Sequence, residues 1–187
     1  MGTRVSAVQA ADTGWQLEGM HFDAVVLATS ASVATLSLME YEQLATKNIV
    51  RDVQTWINIT QALRFEGITT VYAYGPGARL TQPMLALPSQ GAQAPAQFVF
   101  DRGQLGGPAG LLAFVVSASH GERAELQAQV LAQAQAQLGL TLTPLQTVVE
   151  KRATFACTPG LVRPPMRIAP GLFAAGDYVE GPYPATL

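Results

Sequence analysis

Over the first part of the chain apolar positions alternate with polar ones, in Arg4-Val5-Ser6-Ala7-Val8 and again in Trp15-Gln16-Leu17-Glu18. A period of two is the mark of a half-covered strand. Asp12-Thr13-Gly14 between them has turn chemistry, so the two segments are expected to form a meander, with His21 in a hairpin after them. The next apolar stretch, Asp23-Ala24-Val25-Val26-Leu27-Ala28, does not alternate. Continuous apolarity predicts a strand covered on both faces, and its end in Ala28-Thr29-Ser30 is small enough for a backbone or ligand to approach.

After Ser30 the period becomes helical. A short helix is predicted from a cap at Ser32 to Met39, and a longer one between Glu42 and Phe65 with Leu44, Val53, Trp56, Ile57 and Leu63 at mostly helical intervals. Thr55, Ile59 and Thr60 predict a break in its middle. Strand patterns return at 68–74, 84–87, 97–100 and 111–117, joined by the turn signals Gly75-Pro76-Gly77 and Gly106-Gly107-Pro108. Residues 121–138 read as a helix with Leu126, Val130, Leu131 and Leu138 on one face and glutamines opposite, stopped by Gly139. A strand at 147–154 follows, Pro159, Pro164 and Pro165 hold the next connection extended, and a last strand is expected at 172–175. Helices and strands in this order predict an α/β or α+β fold of two interleaved domains. Residues 1–30 and 156–187 form the first, and 31–155 form an inserted mixed β-sheet with helices.

Composition sharpens this picture at one point. Of the 187 residues 13% are charged, about half the usual share, while the 49% that are apolar are ordinary. A surface so poor in charge either faces another domain, a lipid-like substrate or a membrane, or reflects an Ala- and Gln-rich lineage. The net charge of −2, with no basic run longer than Lys151-Arg152, argues against nucleic acid as a partner. One cysteine, Cys157, excludes an internal disulfide; it is expected to be buried and inert. The longest apolar run, Leu111 to Val116, is far short of the roughly 20 residues of a membrane span. A cytoplasmic protein is expected, with room for peripheral membrane contact.

The strongest chemical signal is Gly176-Asp177 at the end of the last strand. An aspartate at the carboxyl end of a buried strand accepts hydrogen bonds from sugar-like hydroxyls, and a helix starting near Ala185 would point its amide donors at an electron-rich atom. A Gly-Asp turn with no ligand role is the bland alternative. His21 and His120 have no carboxylate or thiol at ligand spacing, so no metal site is expected. Arg152, Arg163 and Arg167 either line an anionic entrance or make ordinary ion pairs. No Gly-x-Ser-x-Gly suggests a hydrolase.

The ending Gly171-Leu172-Phe173-Ala174-Ala175-Gly176-Asp177, with Tyr183-Pro184-Ala185-Thr186-Leu187, resembles the C-terminal flavin fingerprint of the FAD-dependent amine oxidase and phytoene desaturase superfamily. Three further stretches narrow the resemblance to squalene-associated FAD-dependent desaturases, the hydroxysqualene dehydroxylases: Phe100-Asp101-Arg102-Gly103, the run from Glu150 to Ala156, and the run from Pro159 to Met166. The resemblance implies a Rossmann-like FAD-binding domain made from both chain ends. It implies that Asp177, after Gly176, holds the ribityl and phosphate portion of FAD, and that Thr186 and Leu187 lie beside the isoalloxazine. Val5 would meet the adenine, Ala28, Thr29 and Ser30 would pass close to the cofactor, and Tyr183 would stand near the flavin or the substrate entrance. A long isoprenoid alcohol would be the substrate, reduced to squalene for hopanoid synthesis, with the sheet from Ile68 to Ser117 walling an apolar tunnel.

The departures are as informative. No Gly-x-Gly-x-x-Gly follows a strand anywhere, nor is there an acidic residue about twenty positions beyond one, so the pyrophosphate and ribose contacts of a dinucleotide fold are missing. The expectation is a C-terminal fragment that alone binds no FAD, carries no identified catalytic side chain, and forms a homo-oligomer through its uncovered surface. Two other readings stay open: a non-catalytic domain acting only in oligomerisation, and an amine or polyamine oxidase of the same fold.

Overall fold

A computed structural model describes residues 2–39 and 47–181, and it falls into two compact units. Residues 1–64 and 154–187 make the first and residues 65–153 the second. The chain is thus of mixed α and β class, compatible with a Rossmann-like fragment formed by both chain ends, with a sheet-and-helix unit inserted. The division differs from the expected one, which gave 31–64 to the insertion. Their described residues form two helices, and the second packs on the first and on a strand of the terminal unit.

In the terminal unit β1 (Gln9–Ala10), β2 (Trp15–Leu17) and β3 (Met20–Phe22) form an antiparallel meander. The first strand starts later than its alternation suggested. Val8 and Ala10 are the residues that point inward and are buried, which leaves Val5, out of phase with them, in an irregular exposed segment. That segment is tied down by Ser6, whose amide and hydroxyl both donate to Glu18 Oε1, and the two bonds draw the Glu18 carboxyl below its ordinary range. Trp15 is buried and donates its indole N–H to the carbonyl of Pro170, 3.0 Å away.

A second sheet has the order β10 (Arg167–Ala169), β11 (Leu172–Ala174), β4 (Val25–Leu27). β11 is antiparallel to β10 and parallel to β4, with Leu172, Phe173 and Ala174 opposite Val25, Val26 and Leu27. Strands from opposite ends of the sequence therefore run side by side in one direction. β4 is not covered on both faces as its apolar run suggested. Val25 and Leu27 are buried, but Val26 points to the opposite face of the sheet and is 59% exposed, so only one face of β4 is covered.

Helix α1 (Ala31–Ser37) follows β4 directly, with Ser30 rather than Ser32 as its N-cap residue. Helix α2 (Lys47–Gln61) is continuous where a break was expected. Thr55 and Thr60 donate their hydroxyls to the carbonyls of Arg51 and Trp56, one turn back, so the β-branched residues satisfy themselves within the helix. Trp56, on its buried face, donates to the carbonyl of Pro165 at 2.9 Å. Leu44 lies outside the described residues.

The inserted unit is a five-stranded sheet in the order β6 (Met84–Ala86), β7 (Phe98–Asp101), β8 (Leu111–Ser117), β5 (Phe65–Tyr74), β9 (Thr143–Phe155). Val71, Ala73, Val99, Leu112, Phe114 and Val116 project from one face into a core closed by Leu126, Val130 and Ala134 of α3 (Arg123–Leu138). Gly139 ends α3 with φ +67°, a left-handed cap where a side chain would be strained. Gln133, buried in α3, accepts from the amide of Ala96 and donates to its carbonyl, which fixes the 88–97 loop on the helix as a neighbouring strand would.

Candidate functional site at the strand ends

The parallel pairing of β4 and β11 sets the carboxyl ends of the two strands beside each other. Ala175 continues the ladder by donating to the carbonyl of Leu27 at 3.0 Å, so the segments Ala28-Thr29-Ser30 and Ala175-Gly176-Asp177 leave the sheet at the same end. All six are exposed. The crevice beyond the carboxyl ends of parallel strands is where open α/β sheets bind ligands, because no side chain of the sheet itself fills it. Among the described residues the Thr29 and Ser30 side chains make only local hydrogen bonds, Thr29 Oγ1 to the carbonyl of Ser30 and Ser30 Oγ to Ser32 Oγ, each at 3.3 Å. Among the described residues the Asp177 carboxylate accepts no hydrogen bond and joins no ion pair.

What holds Asp177 in place is its backbone. The chain turns at Gly176, where Val179 donates to the Gly176 carbonyl at 3.2 Å, and Glu180 donates to the carbonyl of Pro164 at 2.8 Å. Tyr178 and Val179 are buried beneath this turn, and the Tyr178 ring meets Trp56 edge-on with centroids 6.4 Å apart. A Cβ at position 176 would lie 2.6 Å from the Tyr178 ring, so glycine is required there by space alone. Among the described residues the buried Tyr178 hydroxyl has no hydrogen-bond partner. Burial, and secondarily the neighbouring Asp177 charge, push the phenol above its ordinary range and keep it neutral.

These placements cover most of the residues expected at a cofactor. Ala28, Thr29, Ser30, Gly176 and Asp177 follow the same end of the sheet, whereas Val5 sits in the exposed stretch before β1. Tyr183, Thr186 and Leu187 lie outside the described residues. Small exposed residues and an unengaged carboxylate fit the hydroxyl-bearing part of a flavin cofactor. The described residues hold no glycine-rich turn to cradle its pyrophosphate. Sequence reasoning overlooked Tyr178, although an aromatic residue directly after Gly-Asp is a signal for a ring packed under the turn.

Of the other expected groups, only Arg163 reaches this site, through the carbonyls of Asp177 and Gly181 among the described residues. Cys157 is exposed rather than buried, since it follows the end of β9 in a proline-rich connection. Arg152 lies over the Phe65 ring and Arg163 over that of Phe155, and Arg167 borders a cavity of about 330 Å³ with Asp52, Trp56 and Ile168. Among the described residues none of the three is in an ion pair. His21 Nε2 contacts the carbonyl of Thr13, and His120 is 4.0 Å from the Glu66 carboxylate. No group of three or more metal-ligating side chains gathers among the described residues.

The inserted unit offers a second feature. Register places Met84 opposite Phe100, Phe100 opposite Ala113, and Ala113 opposite Tyr72, with Phe98 opposite Val115 and Tyr74 opposite Leu111. These residues alternate with the core set, so they share the face away from α3. Met84, Phe98 and Tyr74 are 48%, 39% and 39% exposed, and no charged side chain falls on these positions. The face is a contiguous aromatic and aliphatic platform.

No family model and no curated protein matches the chain. Among solved structures, the crystal structure of an oxidoreductase from Methanosarcina mazei is similar, with a TM-score of 0.61 at 16% identity over 95% of this chain and 44% of that one. The likeness is one of fold. The chain spans less than half the length of that oxidoreductase. Among the described residues no helix is long and apolar enough to cross a membrane.

Proposed function

We propose that the chain is part of an FAD-dependent oxidoreductase of the amine oxidase and desaturase type, contributing the flavin-side strand ends and an apolar substrate wall. The observation that supports this reading is the parallel β4–β11 pair, whose carboxyl ends lead into the exposed residues Ala28, Thr29, Ser30, Gly176 and Asp177. The fold likeness to a protein described as an oxidoreductase, and the resemblance of four sequence stretches to squalene-associated desaturases, support it.

In this reading Asp177 accepts hydrogen bonds from the ribityl hydroxyls, and the small residues on β4 let the cofactor lie against backbone. The substrate is a long isoprenoid alcohol laid on the aromatic face of Tyr72, Tyr74, Phe98 and Phe100, which excludes water from it. The reaction replaces C–OH by C–H: the alcohol takes up a hydride, which a reduced flavin would supply and an external two-electron donor would replenish, and a proton from solvent that leaves with the hydroxyl group as water. A polyamine substrate is less favoured, because no carboxylate lies among Tyr72, Tyr74, Phe98 and Phe100 to meet its ammonium groups, Glu66 being in phase with them only at the other end of β5.

Where the sequence led to the expectation of no FAD binding by the chain alone, the exposed strand ends favour weak binding in its place, so the chain purifies colourless but takes up flavin at millimolar concentration. FAD titration followed by flavin fluorescence tests the assignment, with riboflavin and ADP as competitors. Riboflavin is expected to displace FAD and ADP to leave it in place, because the chain's contacts are to the ribityl side. Displacement by ADP alone, or no binding at millimolar FAD, would overturn the reading. A stoichiometric yellow chromophore would keep the flavin and overturn the weakness of the half-site.

A further inference from the structure

We infer that Arg163 is the positioning residue of the Asp177 turn, an inference that rests on the flavin reading of that turn. Its guanidinium donates through Nη2 to the carbonyl of Gly181 at 2.6 Å and through Nη1 to the carbonyl of Asp177 at 3.4 Å. One side chain thus spans both ends of the loop that follows Gly176. The guanidinium is itself fixed, lying 5.4 Å from the centre of the Phe155 ring, so the span is preset. The next residue, Pro164, takes the amide of Glu180 on its carbonyl, a third tie between the same two segments.

The choice of acceptors matters. Among the described residues Arg163 bonds backbone oxygens only and leaves the Asp177 carboxylate unengaged, where an arginine bonded to that carboxylate would have competed with a ligand. A planar fork with several donors reaches two carbonyls at once, which a lysine ammonium on a flexible stem does not reproduce. The role of Arg163 is to hold the segment that carries Asp177, acting through the backbone and touching no cofactor.

Backbone amide NMR on the purified chain tests this with two readouts. In Arg163→Ala the amides of Val179 and Glu180 are expected to exchange with solvent at least about tenfold faster, while that of Ala175, bonded across to β4, keeps its wild-type rate. On addition of millimolar FAD the Asp177 amide shift is expected to vanish in Arg163→Ala, to return in part in Arg163→Lys, and to persist at Ala28 to Ser30 in both. Wild-type exchange and a wild-type Asp177 shift in Arg163→Ala would overturn the inference. So would faster exchange at Ala175 as well, which would make Arg163 a general support of the unit. A wild-type chain whose strand-end amides ignore FAD would instead overturn the flavin reading, and the exchange rates would still decide whether Arg163 sets the turn.

Discussion

Two aspartates at strand ends, Asp101 in the inserted unit and Asp177 in the terminal one, have opposite surroundings. Asp101 is 2% exposed and its carboxylate takes the amide of Leu80 at 3.0 Å, the amide of Gln104 at 3.2 Å and the Gln104 side chain at 2.7 Å. Burial by itself would raise its pKa, but the donors from Gln104, Leu80 and Gly103 outweigh burial and hold the carboxyl below its ordinary value. Asp177 is exposed and its carboxylate is answered by nothing among the described residues, while its backbone is held from behind. One acid spends its acceptors on the fold; the other keeps them for something outside it. Position at the end of a strand is shared, so the donors around each carboxylate, and not the motif, separate a structural acid from a ligand-ready one.

That contrast breaks most severely at Asp101. Asp101→Asn turns one acceptor into a donor facing the amides it should satisfy, and is expected to destabilise the inserted unit by about 3 kcal/mol, measured by urea unfolding. With its folded pKa lowered, Asp101 contributes stability fully above its ordinary value of 3.8 and loses it as pH falls below that value through the folded one. Acid titration of stability is expected to show this decline in the wild type and to lack it in Asp101→Asn.

Gly176→Ala sets a methyl against the Tyr178 ring and is expected to cost roughly 1–3 kcal/mol in the terminal unit, since both groups are bound into one turn. Tyr178→Phe removes a buried hydroxyl that has no partner among the described residues, and is expected to stabilise the chain by about 1 kcal/mol or less. The raised Tyr178 pKa means stability is present below its ordinary value of 10.0 and is lost as pH rises above it, a decline that thermal melts should find reduced in the phenylalanine variant. Asp177→Asn is the smallest of the series, within about 0.5 kcal/mol of wild type by the same melts. A larger loss would show that Asp177 is a structural acid after all.

The sequence was most legible where one local rule governs. Apolar continuity marked Leu111–Ser117 residue for residue, and Gly139 marked the end of α3. The final strand and the one before Ala28 were both foreseen, and their adjacency followed from the order of elements. Regions set by tertiary partners were harder to read. β10 has only Arg167–Ala169 and owes its strand character to β11, with no alternation of its own to reveal it. Thr55 and Thr60 looked like helix breakers, because the carbonyls that receive their hydroxyls are invisible to a propensity argument. At the site, Gly176 and Asp177 stood out by their types. The burial of Tyr178 and the backbone bonds of Arg163 depend on segments far apart in sequence, so neither was written in the Gly-Asp motif.

The central claim is that the β4 and β11 strand ends form half of a flavin site. A residue-resolved amide NMR titration of the chain with millimolar FAD tests it most directly. The account predicts shifts confined to Ala28, Thr29, Ser30 and Ala175 to Asp177, abolished at Asp177 by Asp177→Asn. Shifts scattered over both units, or centred away from these six residues, would contradict it.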